Sequence, residues 1–206
     1  MENALNSVEC IGQIYSPSKV ICIGRNYLEH INELNNDVPE QPVIFLKPNS
    51  AIASQLTSHN ETIHYEAEIC FVIKNKEISA VGFGLDLTKR ELQSALKAKG
   101  LPWERAKAFD GAAVFSHFVQ CPANLTDLSM KLYINDQLVQ HGLVTHMMFQ
   151  PEQFMNDISS FMTLEDGDII MSGTPKGVGV VIKGDKFHGI VLCNEKPILE
   201  SYWTAK

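Results

Sequence analysis

The sequence predicts an α+β fold, rich in strands and built on a large mixed β-sheet. Three observations predict it. Short runs of β-branched and aromatic residues outnumber the helical patterns. Strands and helices alternate irregularly, which argues against a doubly wound sheet. The chain has 206 residues, 45% of them hydrophobic, so it can bury one real core. With no internal repeat and no low-complexity stretch, residues 1–206 read as one domain.

The elements follow in order. Residues 1–19 read as a short strand or turn region, with Pro17 at a turn. Val20–Ile23 is a buried strand. Asn26 is placed to cap a short helix, with Glu29 completing a capping box. Tyr27, Ile31 and Leu34 share one face of that helix. His30 and Glu33 stand at i and i+3, so their side chains can meet. A neutral His oriented by a carboxylate is a general base; a surface helix with an incidental pair is the other reading. A short helix between polar loops also suits a lid.

Val43–Pro48 is predicted to be a buried strand that delivers Lys47 at its end, either to a substrate carboxylate or to solvent. Residues 49–62 form a polar connector. His64–Ile73 then alternates, with Tyr65, Ala67, Ile69, Phe71 and Ile73 on one face and His64, Glu66 and Glu68 on the other. That is the pattern of a half-buried strand. Glu66 and Glu68 point the same way, about 6.5–7 Å apart. The pair is either a solvated strand face or the start of a cation site, since close carboxylates in a dry place need a cation or a shared proton. Mg²⁺ answers that need with oxygen ligands. Asp86, at the end of the run Val81–Leu85, is the candidate third carboxylate.

Thr88 to Glu91 reads as a second capping box, Leu92 and Leu96 as an apolar stripe, and Gly100 as a helix stop. Leu101-Pro102-Trp103 is a turn, and Phe118–Pro122 a short edge strand. Asn135-Asp136 joins a hairpin. Pro151 opens a helix whose core face is Phe154, Ile158 and Phe161. After a turn at 164–168, the strand Ile169–Met171 opens into the glycine-rich loop Ser172–Gly179. Such a loop can cradle an anion with its N–H groups, although it matches neither the phosphate-loop nor the dinucleotide fingerprint.

Composition removes several functions. Seventeen basic residues against 24 acidic ones give a net charge of −7, and no basic cluster stands out. Nucleic acid and anionic membrane are therefore not expected as partners. An anionic substrate would need a local cation. The five cysteines are odd in number and lack a Cys-x-x-Cys, which points to free thiols in a reducing compartment. Met1-Glu2-Asn3 has no signal-peptide character, and no apolar run approaches the roughly 20 residues that span a bilayer. A cytoplasmic enzyme or binding protein is the expectation.

Several stretches together carry a family likeness. They are Ile23-Gly24-Arg25-Asn26-Tyr27 with His30, Phe45-Leu46-Lys47-Pro48, His64-Tyr65-Glu66-Ala67-Glu68, and Leu85-Asp86-Leu87-Thr88 with Arg90. Pro102-Trp103, Ala106-Lys107-Ala108-Phe109-Asp110, Leu164–Asp168 and Ser172–Gly179 follow in order. In this ordered set the sequence resembles the fumarylacetoacetate hydrolase family, in its short, single-domain acylpyruvase-like branch. The resemblance implies a β-rich roll around Mg²⁺ or Mn²⁺ held by Glu66, Glu68 and Asp86. It implies a homodimer and a small 2-oxo acid substrate. It implies that His30 and Glu33 activate water from a mobile lid, and that Lys107 and Thr174 lie at the substrate. Arg25, Lys47 and Gln140 complete the expected substrate contacts. Two departures stand out: a shortened interval from Glu68 to Asp86, and Gly111-Ala112-Ala113-Val114 where relatives tend to carry proline, which leaves the pocket wall open.

The chemistry expected from this likeness is cleavage of the C–C bond of acylpyruvates, with oxaloacetate decarboxylation through the same enolate. A 2-oxo acid hydratase or isomerase is the enzyme alternative. A non-catalytic scaffold that keeps the metal is the other.

Overall fold

The computed structural model describes residues 5–58 and 61–206. The amino-terminal Met1-Glu2-Asn3 and part of the 49–62 connector lie outside the described residues. In chain order the elements are β1 (Val8–Cys10), β2 (Gln13–Tyr15), β3 (Lys19–Gly24), α1 (Leu28–Glu33), β4 (Val43–Pro48), β5 (Ile52–Ala53) and β6 (His64–Tyr65). Next come β7 (Ala67–Lys74), β8 (Glu77–Asp86), α2 (Arg90–Ala98), α3 (Glu104–Lys107), β9 (Ala113–Phe115) and β10 (Val119–Gln120). The chain ends with β11 (Leu128–Ile134), β12 (Gln137–Leu143), α4 (Pro151–Phe161), β13 (Ile169–Met171), β14 (Gly179–Val180), β15 (Lys186–Cys193) and β16 (Lys196–Thr204). The fold is β-rich α+β, as expected.

The main sheet runs β4-β3-β13-β7-β8-β9-β5, with β10 also on β8. It is mixed: β13 lies parallel to β3 and antiparallel to β7. A second sheet runs β12-β11-β15-β16. Tyr65 of β6 packs on Phe187 of the second sheet at 5.4 Å, and the two sheets meet where Phe83 lies near Trp203 at 5.9 Å. Gly189 permits that approach, since a Cβ there would lie 2.6 Å from the Phe83 ring.

Four hairpins turn on two residues with positive φ, the signature of a type I′ turn. They are Asn75-Lys76 (53° and 65°), Asn135-Asp136 (49° and 64°), Asn194-Glu195 (49° and 61°) and, between β1 and β2, Ile11-Gly12 (50° and 70°). The first explains the shortened interval: β7 folds straight back as β8, with Lys74 opposite Glu77.

Some expectations change. β7 is buried on both faces rather than half-buried. Ala67, Ile69, Phe71 and Ile73 enter one apolar cluster, while Cys70 and Val72 enter another. No solvated face is left for Glu66 and Glu68. β4 is an edge strand, partly exposed along most of its length. Phe161 is 61% exposed, whereas Phe154 and Ile158 are fully buried, so the α4 core face ends one turn early. Neither Asn26 nor Thr88 caps a helix; both are drawn into the site instead. All five cysteines are free. No described helix is long and apolar enough to cross a membrane.

Candidate active site

Strand register builds the acidic cluster. Glu66 and Glu68 are i and i+2 on the β6–β7 stretch. Asp86, at the end of β8, lies across from Glu66 and donates its N–H to the Glu66 carbonyl at 2.9 Å. Cross-strand neighbours on one face are about 4.5–5.5 Å apart. One oxygen from each of the three carboxylates lies within 4.8 Å of the others. All three residues are at most 5% exposed.

Such a cluster stands only if cations accompany it. Lys107, from α3, places Nζ 2.8 Å from Glu66 Oε2 and 2.7 Å from Asp86 Oδ2. Its third hydrogen goes to Thr88 Oγ1 at 2.6 Å. Arg90, at the start of α2, pairs with Glu66 Oε1. Lys47 Nζ lies 2.8 Å from Asp86 Oδ1 and also donates to the Lys107 carbonyl. Burial pushes the Glu66 carboxyl up, but Lys107, Arg90 and His30 outweigh it and hold the group well below the usual carboxylate range. Burial lowers Lys107, but Asp86 and Glu66 raise it more, so it stays an ammonium.

Glu68 differs. Among the described residues it has no ion-pair partner; Gly173 N–H donates to its Oε2 at 2.7 Å. Burial, with the Asp86 and Glu66 charges adding to it, pushes its carboxyl well above the ordinary value. Asp86 Oδ1 is likewise buried without an aligned hydrogen bond, although the Lys47 ammonium is close. Three converging hard oxygens, one with no cation and one with an unfilled lone pair, fit a divalent Mg²⁺ or Mn²⁺.

The glycine-rich loop does cradle anions, but they are the protein's own. Gly173 holds Glu68, and Gly177 N–H donates to Glu33 Oε1 at 3.0 Å. Gly173 needs its freedom, with φ of 100° and a would-be Cβ only 2.7 Å from Asn26 Cβ. The loop is laced to β7: Ser172 Oγ donates to the Ile69 carbonyl at 2.7 Å and Thr174 Oγ1 to the Ala67 carbonyl at 2.8 Å.

Opposite the carboxylates stands α1. His30 Nδ1 lies 3.1 Å from Glu33 Oε2. A proton on Nδ1 leaves Nε2 free to accept another. His30 is only 6% exposed and lines the cavity, so the surface-pair reading fails. Asn26 anchors the base of α1. Its amide donates to Ser172 and Phe149 carbonyls at 2.8 and 3.1 Å and accepts Phe149 N–H at 2.7 Å.

The cavity is about 40 Å³, room for a few waters. Arg25, His30, Glu66, Glu68, Asp86, Lys107 and Thr174 line it as expected, with Phe45 and Trp103 as an aromatic wall. Lys47 and Gln140 do not line it. Lys47 sits behind Asp86. Gln140 bonds Ala67 N–H, Thr174 Oγ1 and the Pro175 carbonyl, at 3.0, 2.9 and 2.8 Å, so both hold wall residues. Nor does 111–114 form the cavity wall: Ala112, Ala113 and Val114 are buried, with β9 between β8 and β5. Arg90 was read from sequence only as part of a family motif, without a role, and Gln93 and Lys97 were missed; the three form one polar face of α2 at i, i+3 and i+7 beside the apolar stripe that was read.

Comparison with known proteins agrees with this architecture. Residues 19–198 match the model of the fumarylacetoacetate (FAA) hydrolase C-terminal family. A mitochondrial oxaloacetate tautomerase of Oryza sativa subsp. japonica is 40% identical over 190 residues, covering 82% of this chain and 84% of the relative. An oxaloacetate tautomerase of Escherichia coli is 35% identical, covering 84% and 87%. The crystal structure of fumarylpyruvate hydrolase from Pseudomonas aeruginosa, with Mn²⁺ and pyruvate, superposes with a TM-score of 0.89 at 26% identity, covering 100% of this chain and 97% of that one. The fold, the matched span and these relatives agree: the chain belongs to the fumarylacetoacetate hydrolase family.

Proposed function

We propose that the protein interconverts the enol and keto forms of a 2-oxo acid, with oxaloacetate as the substrate. The observation that carries this is an oriented base facing a buried triad of carboxylates across one small cavity. The relatives named as oxaloacetate tautomerases support it. The order of expectations from sequence, with C–C hydrolysis first, is thereby reversed.

Tautomerisation moves one proton between C3 and the 2-oxo oxygen. His30 Nε2 is the base at C3, and the imidazolium it becomes returns that proton at the 2-oxo oxygen; the reverse reaction runs the same transfers backwards. Glu33, itself fixed by Gly177 N–H, holds the ring and stabilises the imidazolium that forms. Glu66, Glu68 and Asp86 would hold Mg²⁺ or Mn²⁺, which supplies Lewis acidity toward the substrate's carboxylate and 2-oxo oxygens. Lys107 spends its three hydrogens on Glu66, Asp86 and Thr88, so it favours the enolate through its field rather than a direct hydrogen bond. Phe45 and Trp103 give the far wall an apolar face.

A second reading is C–C hydrolysis of an acylpyruvate. The same base would take a proton from water, hydroxide would add to the acyl carbonyl, and the C3–C4 bond would break to give a carboxylic acid and pyruvate enolate. A cavity with room for water and the likeness to fumarylpyruvate hydrolase favour it. The test is one Mn²⁺-loaded preparation. Loss of the oxaloacetate enol absorbance and pyruvate release from acetylpyruvate and fumarylpyruvate are followed side by side. Faster enol loss than with buffer and Mn²⁺ alone supports tautomerisation. Pyruvate release without it overturns that reading in favour of hydrolysis. Homodimer formation and a cytoplasmic location belong to the same proposal; light scattering on the eluted protein tests the first.

A further inference from the structure

The cavity holds more cation than its carboxylates use. Arg90 is taken by Glu66, and Lys47 and Lys107 by the acidic floor. Arg25 and Lys97 also line the cavity, and neither has an ion-pair partner among the described residues. Lys97 is not a loose surface lysine. Its Nζ donates to Asn36 Oδ1 at 2.5 Å and lies 5.9 Å from the centre of the Trp103 ring. α2 points it inward on the same face as Arg90 and Gln93, seven residues on from Arg90. Arg25 enters from the other side, on backbone with φ of 55°, and among the described residues its side chain makes one hydrogen bond, a long one of 3.4 Å to the Asp37 carbonyl.

Two partly buried cations converging without an anion await one. A substrate's 2-oxo acid end belongs at the floor. What remains for this pair is a charge at the substrate's other end. We infer that Lys97, with Arg25, reads the far carboxylate of a dicarboxylic 2-oxo acid, and so selects it over an acylpyruvate that carries a neutral ketone there. Burial and the nearby charges of Arg25 and Arg90 lower the Lys97 pKa, which fits a group that lacks its counter-ion.

This inference rests on the functional reading above, so its test separates the two. Oxaloacetate and acetylpyruvate share one end and differ at the other in carboxylate against acetyl. Lys97→Met keeps the stem over Trp103 and removes the charge. The apparent KM for oxaloacetate should rise about 10- to 100-fold, the size of a lost charge-assisted hydrogen bond. Its kcat should change little, and acetylpyruvate should be unaffected. Lys97→Arg should restore most of the loss. In calorimetry on Mn²⁺-loaded protein, Lys97→Met should weaken oxaloacetate but not oxalate, which has no far end to read. Equal weakening of both ligands, or of neither, would overturn the inference. A wild-type protein that turns over neither compound would refute the functional reading instead, and calorimetry would still decide on Lys97.

Discussion

The floor and the roof of the cavity are built in opposite ways. The floor is long-range. Glu66, Glu68, Asp86, Lys47 and Lys107 come from β4, the β6–β7 stretch, β8 and α3, and their charges interlock. Glu66, Asp86, Lys47 and Lys107 cannot move without stranding one another. The roof is local. His30 and Glu33 sit three residues apart on a six-residue helix, tied down by Asn26, Ile31 and one N–H from Gly177. The difference assigns labour: register fixes where charge can gather, and a lightly held helix brings the base to it.

Breaking the floor should have the largest effect. Lys107→Met leaves Glu66 and Asp86 buried beside each other with one fewer cation. Removing one partner of a buried ion pair costs about 3–5 kcal/mol. Urea unfolding of the metal-free protein should show a loss of that order, and activity should go with it.

Glu68→Gln separates charge from packing. It should lower activity by at least about 10²–10³-fold, as loss of an electrostatic stabiliser does, and abolish the rise in melting temperature that Mn²⁺ gives the wild type. The metal-free variant should be no less stable, because Glu68 has no cation to lose. Its pH dependence follows. The folded Glu68 carboxyl is raised above its unfolded value. Between the two values the native state holds the extra proton, so metal-free wild type loses stability as pH rises through that window. The slope should flatten in Glu68→Gln. An unchanged Mn²⁺ shift would count against the triad as the metal site.

The roof should fail differently. His30→Ala should cost about 10²–10⁴-fold in turnover, the worth of a positioned general base, while the Mn²⁺ shift stays as in wild type. If enol conversion and acylpyruvate cleavage fall together, one base serves both. If decarboxylation of oxaloacetate survives, His30 is not needed to form the enolate by that route.

The same contrast governs what the sequence could reveal. The alternation through His64–Ile73 and the apolar run ending at Asp86 placed the three carboxylates on strands, and local spacing placed His30 beside Glu33. Both readings come from contacts near in sequence. Burial on the second face of β7 was not legible, because it depends on strands far along the chain. Asn26 and Thr88 carry cap residues' chemistry, yet tertiary partners claim them: Ser172 and Phe149 for one, Lys107 for the other. Lys47 looked free because its partner, Asp86, arrives only through the sheet. Phe161 followed the helical period but fell beyond the packed turn.

The smallest expected effect concerns motion. A 2-oxo acid must displace the few waters for which the cavity has room. The floor cannot give way to it without exposing paired charges. α1 can: its outward side, Leu28 and Glu29, is exposed, and only Tyr27, His30 and Ile31 are buried. Opening would break the Glu33–Gly177 contact and leave the Asn26 anchor in place as a hinge. Amide exchange over residues 28–37 should therefore be faster than in β7 and β8, and should slow when oxalate is added to Mn²⁺-loaded protein. Asn26→Ala should raise the exchange rate of the same segment without oxalate, since it removes the ties at the hinge. Equal protection of 28–37 with and without oxalate would show a roof as fixed as the floor, and substrate entry would then need another path.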